Sequence, residues 1–183
     1  MPFEKIETGI EGLVIIKSKK FFDNRGYFQE IFKDSDFKRM GFDLDFNQDN
    51  LSFSKKGVIR GLHYQKAPHG QAKLVKCVYG SIFDAVVDVR RESKTFGKYF
   101  TVILHDSNDY LLFVPDGFLH GFCALSDFAI VLYKTSSEYS PESSSGVIYN
   151  DQFLSIPWPV ENPIISLQDA GLKTFKEEFL EQF

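Results

Sequence analysis

The chain has 183 residues, of which 43% are apolar and 20 are phenylalanine, with a formal net charge of −4. That length suits one domain with a sizeable core, and the aromatic content excludes a disordered chain. The acidic balance excludes a broad basic surface for nucleic acid or membrane, so an anionic ligand must meet a local cluster of cations. Cys77 and Cys123 each lie in an apolar run and read as buried, reduced thiols rather than a disulfide or zinc framework. Glu4, Lys5, Glu7 and Glu11 surround a short apolar run at 13–16, which resembles neither a signal peptide nor a membrane span. The expectation is a soluble cytoplasmic protein.

In chain order, residues 12–17 and 27–32 have the composition of strands, joined by the turn-rich Asp23-Asn24-Arg25-Gly26. Arg25 and Glu30 stand at the start and end of the second, and by themselves read as solvated hairpin charges. Residues 34–40 suit a short helix, with Ser35 as N-cap and Gly41 as stop. In FNQDNLSFS, residues 46–54, Gln48, Asn50, Ser52 and Ser54 share one parity, opposite Leu51 and Phe53. Such a polar row either faces water or lines a pocket for a polyhydroxylated or phosphorylated ligand.

The stretch GVIRGLHYQKAPHGQAKLV, residues 57–75, sets Arg60, His63, Gln65 and Lys73 within two strand-like runs that flank the loop 66–70. Alternation puts His63 and Gln65 on one face, and Lys73 on a face shared with the core-like Val75 and Cys77. Burying an unpaired ammonium is costly. A base and a cation aimed into one cavity suit proton abstraction beside a carbonyl. Residues 81–90 alternate as a strand and bring Asp84 as a candidate partner for Lys73.

Further strands are expected at 99–105, 110–114, 118–125 and 128–134. If Ser126 and Asp127 are a two-residue hairpin loop, His120 faces Tyr133 across the pair, with Gly121 inviting a bulge. Residues 136–150 read as loop, and the prolines of IPWPVENP end regular structure. SLQDA carries Asp169, and Leu172, Phe175, Phe179 and Phe183 recur at helical spacing. There is no internal repeat or linker, so residues 1–183 read as one domain. Short strands with frequent turns and little helix make an all-β sandwich or barrel.

Four histidines, His63, His69, His105 and His120, show no spacing that suggests a metal ligand set. No GxSxG motif or phosphate-cradling glycine loop is present. A non-catalytic carbohydrate-binding sandwich would explain the aromatics and the polar row. It would not explain a His, a Lys and a Tyr on inner faces.

DNRGYFQEIF, FNQDNLSFSKKGVIRGLHYQ, GQAKLVKCVYGSIFDAVVDVR, SKTFGK, PDGFLHGFCALSD, LYK, IPWP and SLQDA occur in an order that resembles the dTDP-4-dehydrorhamnose 3,5-epimerase family, over about residues 9–171. The resemblance implies a cupin-like jelly-roll barrel with a few short peripheral helices. It implies a homodimer without metal or other cofactor, acting on dTDP-4-dehydro-6-deoxy-D-glucose at C3 and C5. Carried over by motif, His63 is the base, Asp169 its orienting partner and Tyr133 the acid, and Lys73 stabilises the enolate oxygen. Arg60, Gln48, Asn50 and His120 line the sugar and diphosphate site. Tyr139 stacks on the nucleotide, and Arg25, Phe28 and Glu30 act across the subunit boundary. The chain departs from the family pattern at Ser144, Tyr149 and Gln168, where an acid, a tryptophan and a lysine are common. Related enzymes act at C3 only or C5 only with the same base.

Overall fold

The computed structural model describes residues 2–181. Its strands are β1 (Phe3–Glu7), β2 (Val14–Ser18), β3 (Lys20–Asp23), β4 (Gly26–Gln29), β5 (Gln48–Lys55), β6 (Ile59–Gln65), β7 (Lys73–Tyr79), β8 (Ser81–Asp88), β9 (Tyr99–His105), β10 (Tyr110–Val114), β11 (Phe118–Ala124), β12 (Phe128–Thr135) and β13 (Ser144–Gly146). Three short helices accompany them: α1 (Asp34–Arg39), α2 (Leu167–Ala170) and α3 (Phe175–Phe179). A six-stranded sheet runs β1-β2-β10-β7-β12-β5 and a five-stranded sheet runs β13-β6-β11-β8-β9, with β3 and β4 forming a separate hairpin. From β5 onward the chain changes sheet at nearly every connection, which gives the cupin-like jelly roll its two facing layers.

The core lies between the layers, where Val75, Cys77, Val86, Leu112, Phe122 and Val131 pack together. A second cluster seals the outer face of the five-stranded sheet, with Leu62, Val87 and Leu119 under Phe175 and Phe179 of α3. A third puts Phe37 of α1 against Val14, Leu74 and Leu111 on the outside of the six-stranded sheet. Thr174 and Glu177 form a capping box that starts α3. The helix is shorter than the 172–183 periodicity suggests, and Phe183 lies outside the described residues.

Several local expectations are corrected. Lys33, not Ser35, occupies the N-cap of α1 and makes no side-chain cap bond, while Gly41 follows the helix at φ 92 as a stop. The turn at 23–26 joins β3 to β4, and β2 belongs to the six-stranded sheet instead. The segment read as loop contains β13, which pairs with β6.

The largest correction concerns Ser126 and Asp127. They link two sheets and are not the loop of a hairpin: β11 pairs with β6 and β8, whereas β12 pairs with β5 and β7. His120 is therefore not the strand neighbour of Tyr133. The two reach one interior from facing sheets. The expected irregularity at Gly121 is present, as a register shift between His120 and Phe122.

Strand β5 reverses the usual sandwich pattern. Gln48, Asn50, Ser52 and Ser54 point inward, while Leu51 and Phe53 are 70% and 56% exposed. The polar row therefore faces the interior, not water.

Candidate active site

The space between the sheets opens into two adjoining lobes of about 550 and 390 Å³. His63, Lys73, Tyr133 and Gln168 line both lobes. Arg60, His120 and Asp169 line the larger one; Gln48, Asn50, Tyr139 and Ser144 line the smaller. Arg25, Phe28 and Glu30 line neither. They belong to the projecting β3–β4 hairpin and the residue after it, where Phe28 is exposed and Arg25 pairs with Asp23 at 2.6 Å.

His63 leaves β6 directly opposite His120 of β11. This approach depends on two glycines. A Cβ on Gly61 would lie 2.6 Å from the Gly121 Cα, and one on Gly121 would lie 2.7 Å from the Arg60 carbonyl. Gly61 also sits at φ 119, which side chains disfavour.

Asp169 comes from α2, whose N-cap Ser166 accepts a hydrogen bond from the Asp169 amide at 3.0 Å. One Asp169 oxygen lies 2.7 Å from His63 Nε2, and the other accepts from the Gly61 amide at 3.3 Å. Burial pushes the Asp169 carboxyl up, but the hydrogen bonds from His63, Gly61 and Ser166 more than offset this and hold it below its usual value. An ionised Asp169 accepts the proton on Nε2, which leaves Nδ1 of a neutral His63 with a free lone pair.

Lys73 is 8% exposed, and burial lowers its ammonium to about 8 against the favourable charge of Asp84. Asp84 is not its ion-pair partner, as the sequence suggested. Both Asp84 oxygens lie 3.0 Å from His120 Nε2 instead. Lys73 Nζ points to the His63 carbonyl oxygen at 3.5 Å. Burial raises the Tyr133 phenol above its usual value, with Arg60 acting in the opposite direction.

Arg60 crosses from one sheet to the other, donating to the Ser54 hydroxyl at 2.9 Å and the Phe53 carbonyl at 3.0 Å. Gln48 donates to the Asn50 side chain at 2.7 Å and accepts from the Tyr139 amide at 2.9 Å, tying the polar row to the aromatic at the mouth of the smaller lobe. Among the described residues, no group of three His, Cys, Asp or Glu side chains is placed to hold a metal ion. No described helix is long and apolar enough to cross a membrane.

Sequence reasoning missed the His63–His120 strand pair, the Asp84–His120 contact and helix α2. The last had a readable signal, since Ser166-Leu167-Gln168-Asp169 is a Ser-x-x-Asp helix start. The strand pair had none, because it depends on which sheet each strand joins.

A polar cavity in a jelly roll could serve many ligands, and similarity narrows the choice. The sequence profile of the dTDP-4-dehydrorhamnose 3,5-epimerase family matches residues 7–177. The dTDP-4-dehydrorhamnose 3,5-epimerase of Shigella flexneri is 46% identical over 171 residues, which cover 93% of this chain and 94% of that protein. The crystal structure of dTDP-4-dehydrorhamnose 3,5-epimerase from Elizabethkingia anophelis NUHP1 is 40% identical, with a TM-score of 0.93 over 98% of this chain and 100% of that one. A dTDP-6-deoxy-D-glucose-3,5-epimerase from Legionella pneumophila, solved in complex with dTDP-4-keto-L-rhamnose, is 40% identical with a TM-score of 0.91 over 99% and 98%. Sequence and fold agree along nearly the whole length, and the chain belongs to the dTDP-4-dehydrorhamnose 3,5-epimerase family.

Proposed function

We propose that this protein inverts C3 and C5 of dTDP-4-dehydro-6-deoxy-D-glucose to give dTDP-4-dehydro-L-rhamnose, in dTDP-L-rhamnose biosynthesis. The observation that carries this reading is the 2.7 Å contact of His63 with Asp169, in a cavity that Lys73 and Tyr133 also line. The C4 ketone acidifies the hydrogens on C3 and C5. His63 Nδ1 removes one, and the electron pair moves to the C4 oxygen. The Lys73 ammonium stabilises that oxyanion, and Asp169 stabilises the imidazolium. Tyr133 then returns a proton to the carbon from the opposite face as the ketone reforms.

Arg60 and His120 supply the positive and polar groups suited to sugar and diphosphate, and Gln48, Asn50 and Tyr139 suit the nucleoside. Ser144 and Gln168 add uncharged polar groups to the smaller lobe. We read residues 1–183 as one domain that acts as a homodimer. Exposed aromatics on the β3–β4 hairpin support this, with Arg25, Phe28 and Glu30 completing the partner's nucleotide site. No metal or other cofactor takes part in this scheme.

The test is His63→Asn. Turnover of the 4-keto sugar nucleotide is expected to fall at least roughly 10²–10⁴-fold, the worth of a positioned base, with the melting temperature unchanged. Near-normal turnover by the folded variant would remove His63 from the mechanism.

A further inference from the structure

Inversion at two carbons of one bound sugar needs a reset that a single inversion can leave until after product release. After the first, His63 holds the proton that it removed and Tyr133 is a phenolate. The second inversion requires a neutral imidazole and a phenol again. The base side must therefore lose a proton and the acid side gain one, through solvent or through a protein group, and the sugar ring lies between them.

Lys73 is placed to carry it. It lines both lobes together with His63 and Tyr133. In the β7–β12 pairing Lys73 is opposite Thr135 and Val75 is opposite Tyr133, so Lys73 and Tyr133 leave the inner face of adjacent strands two positions apart. On its other side, Nζ lies 3.5 Å from the His63 carbonyl oxygen. A contact that long is a weak hydrogen bond, so little is lost when Nζ turns toward either neighbour.

We propose that Lys73 carries a proton from His63 to Tyr133 between the two inversions, besides stabilising the enolate oxygen. This rests on the epimerase reading above. The Lys73 ammonium gives one proton to the Tyr133 phenolate, so one N–H bond breaks and one O–H bond forms. The resulting amine takes the proton from Nδ1 of the His63 imidazolium, directly or through one water. Lys73 ends as it began, no group is oxidised or reduced, and no bond in the sugar changes.

The acidities run in the required order. An imidazolium is ordinarily a stronger acid than an ammonium. Burial brings Lys73 to about 8 and raises Tyr133, so the transfer from Lys73 to Tyr133 goes to the stronger base. The charged or titratable neighbours are Asp84, His120, Asp169 and Arg60. Asp84 favours the Lys73 ammonium, and both of its oxygens lie 3.0 Å from His120 Nε2. Asp169 faces His63, and Arg60 acts on Tyr133.

Lys73→Arg separates the two roles. A guanidinium keeps the charge for the enolate but does not deprotonate in proteins. At partial conversion, NMR of the sugar products should show the ratio of singly to doubly inverted sugar raised at least about tenfold over the wild type, a loss within the range for a proton-transfer group. A slower reaction with the wild-type ratio would overturn the relay. If Lys73→Arg does not fold, Lys73→Met is assayed with added methylammonium. The amine should raise the doubly inverted fraction, whereas no rescue, or rescue at constant fraction, overturns the proposal. A wild-type protein that leaves the 4-keto sugar untouched would defeat the epimerase reading itself. An unchanged product ratio in an active variant defeats only the relay.

Discussion

His63 and Asp169 lie 106 positions apart in the chain and 2.7 Å apart in space. Each was legible separately, His63 from its place among strand residues and Asp169 from SLQDA. Their pairing came only from the family resemblance, because α2 reaches β6 through the tertiary fold and no local spacing shows it. Tyr133 teaches the complementary lesson. The sequence put it beside His120 through a hairpin that does not exist, yet both residues do line the cavity, from opposite sheets. The inward parity was right and the partner strand was wrong. The role of Tyr133 has a clean test. Tyr133→Phe keeps the ring and loses the donor, so His63 can still remove a proton, exchange it with solvent and return one to the same face. In heavy water the variant should incorporate deuterium beside the ketone, while inversion falls roughly 10²–10⁴-fold. Inversion at the normal rate would mean that another group is the donor. Equal loss of exchange and inversion would assign Tyr133 to binding or enolate formation.

At the scale of elements, β5 and the β3–β4 hairpin carry the most information. Alternation showed that Gln48, Asn50, Ser52 and Ser54 share a face, but period alone does not say which face is inside. A polar-out reading was open because Leu51 and Phe53 look like core residues. In the structure they are outside, on an edge strand, with Phe53 stacked on Phe128 and Phe128 on Tyr79. The hairpin likewise projects Phe22 and Phe28, 75% and 65% exposed, away from both sheets. Apolar surface of this kind marks an interaction site, and a second copy of the chain is the proposed occupant. Sedimentation should give a dimer. Arg25→Ala and Glu30→Gln should raise the KM for the sugar nucleotide with little change in kcat, because the proposed dimer puts them at the nucleotide and not at the reacting carbons. A fully active monomer at assay concentration would contradict this arrangement.

At the scale of the whole molecule, the all-β class followed from many short alternating runs. The division into sheets did not. A jelly roll pairs strands that are distant in sequence, so neighbours such as β11 and β12 end in different layers. Local turn rules favour the hairpin that the fold rejects. The lack of a metal in the proposed chemistry also belongs to this scale, since it depends on what the assembled cavity brings together. Prolonged chelation should leave turnover unchanged, and loss of activity restored by one metal would require a different mechanism. The most direct test of the account is NMR identification of the product formed from dTDP-4-dehydro-6-deoxy-D-glucose. A sugar inverted at both C3 and C5 is expected, with a solvent-derived hydrogen at each carbon when the reaction runs in heavy water. Inversion at one carbon only, or unchanged substrate, would contradict it.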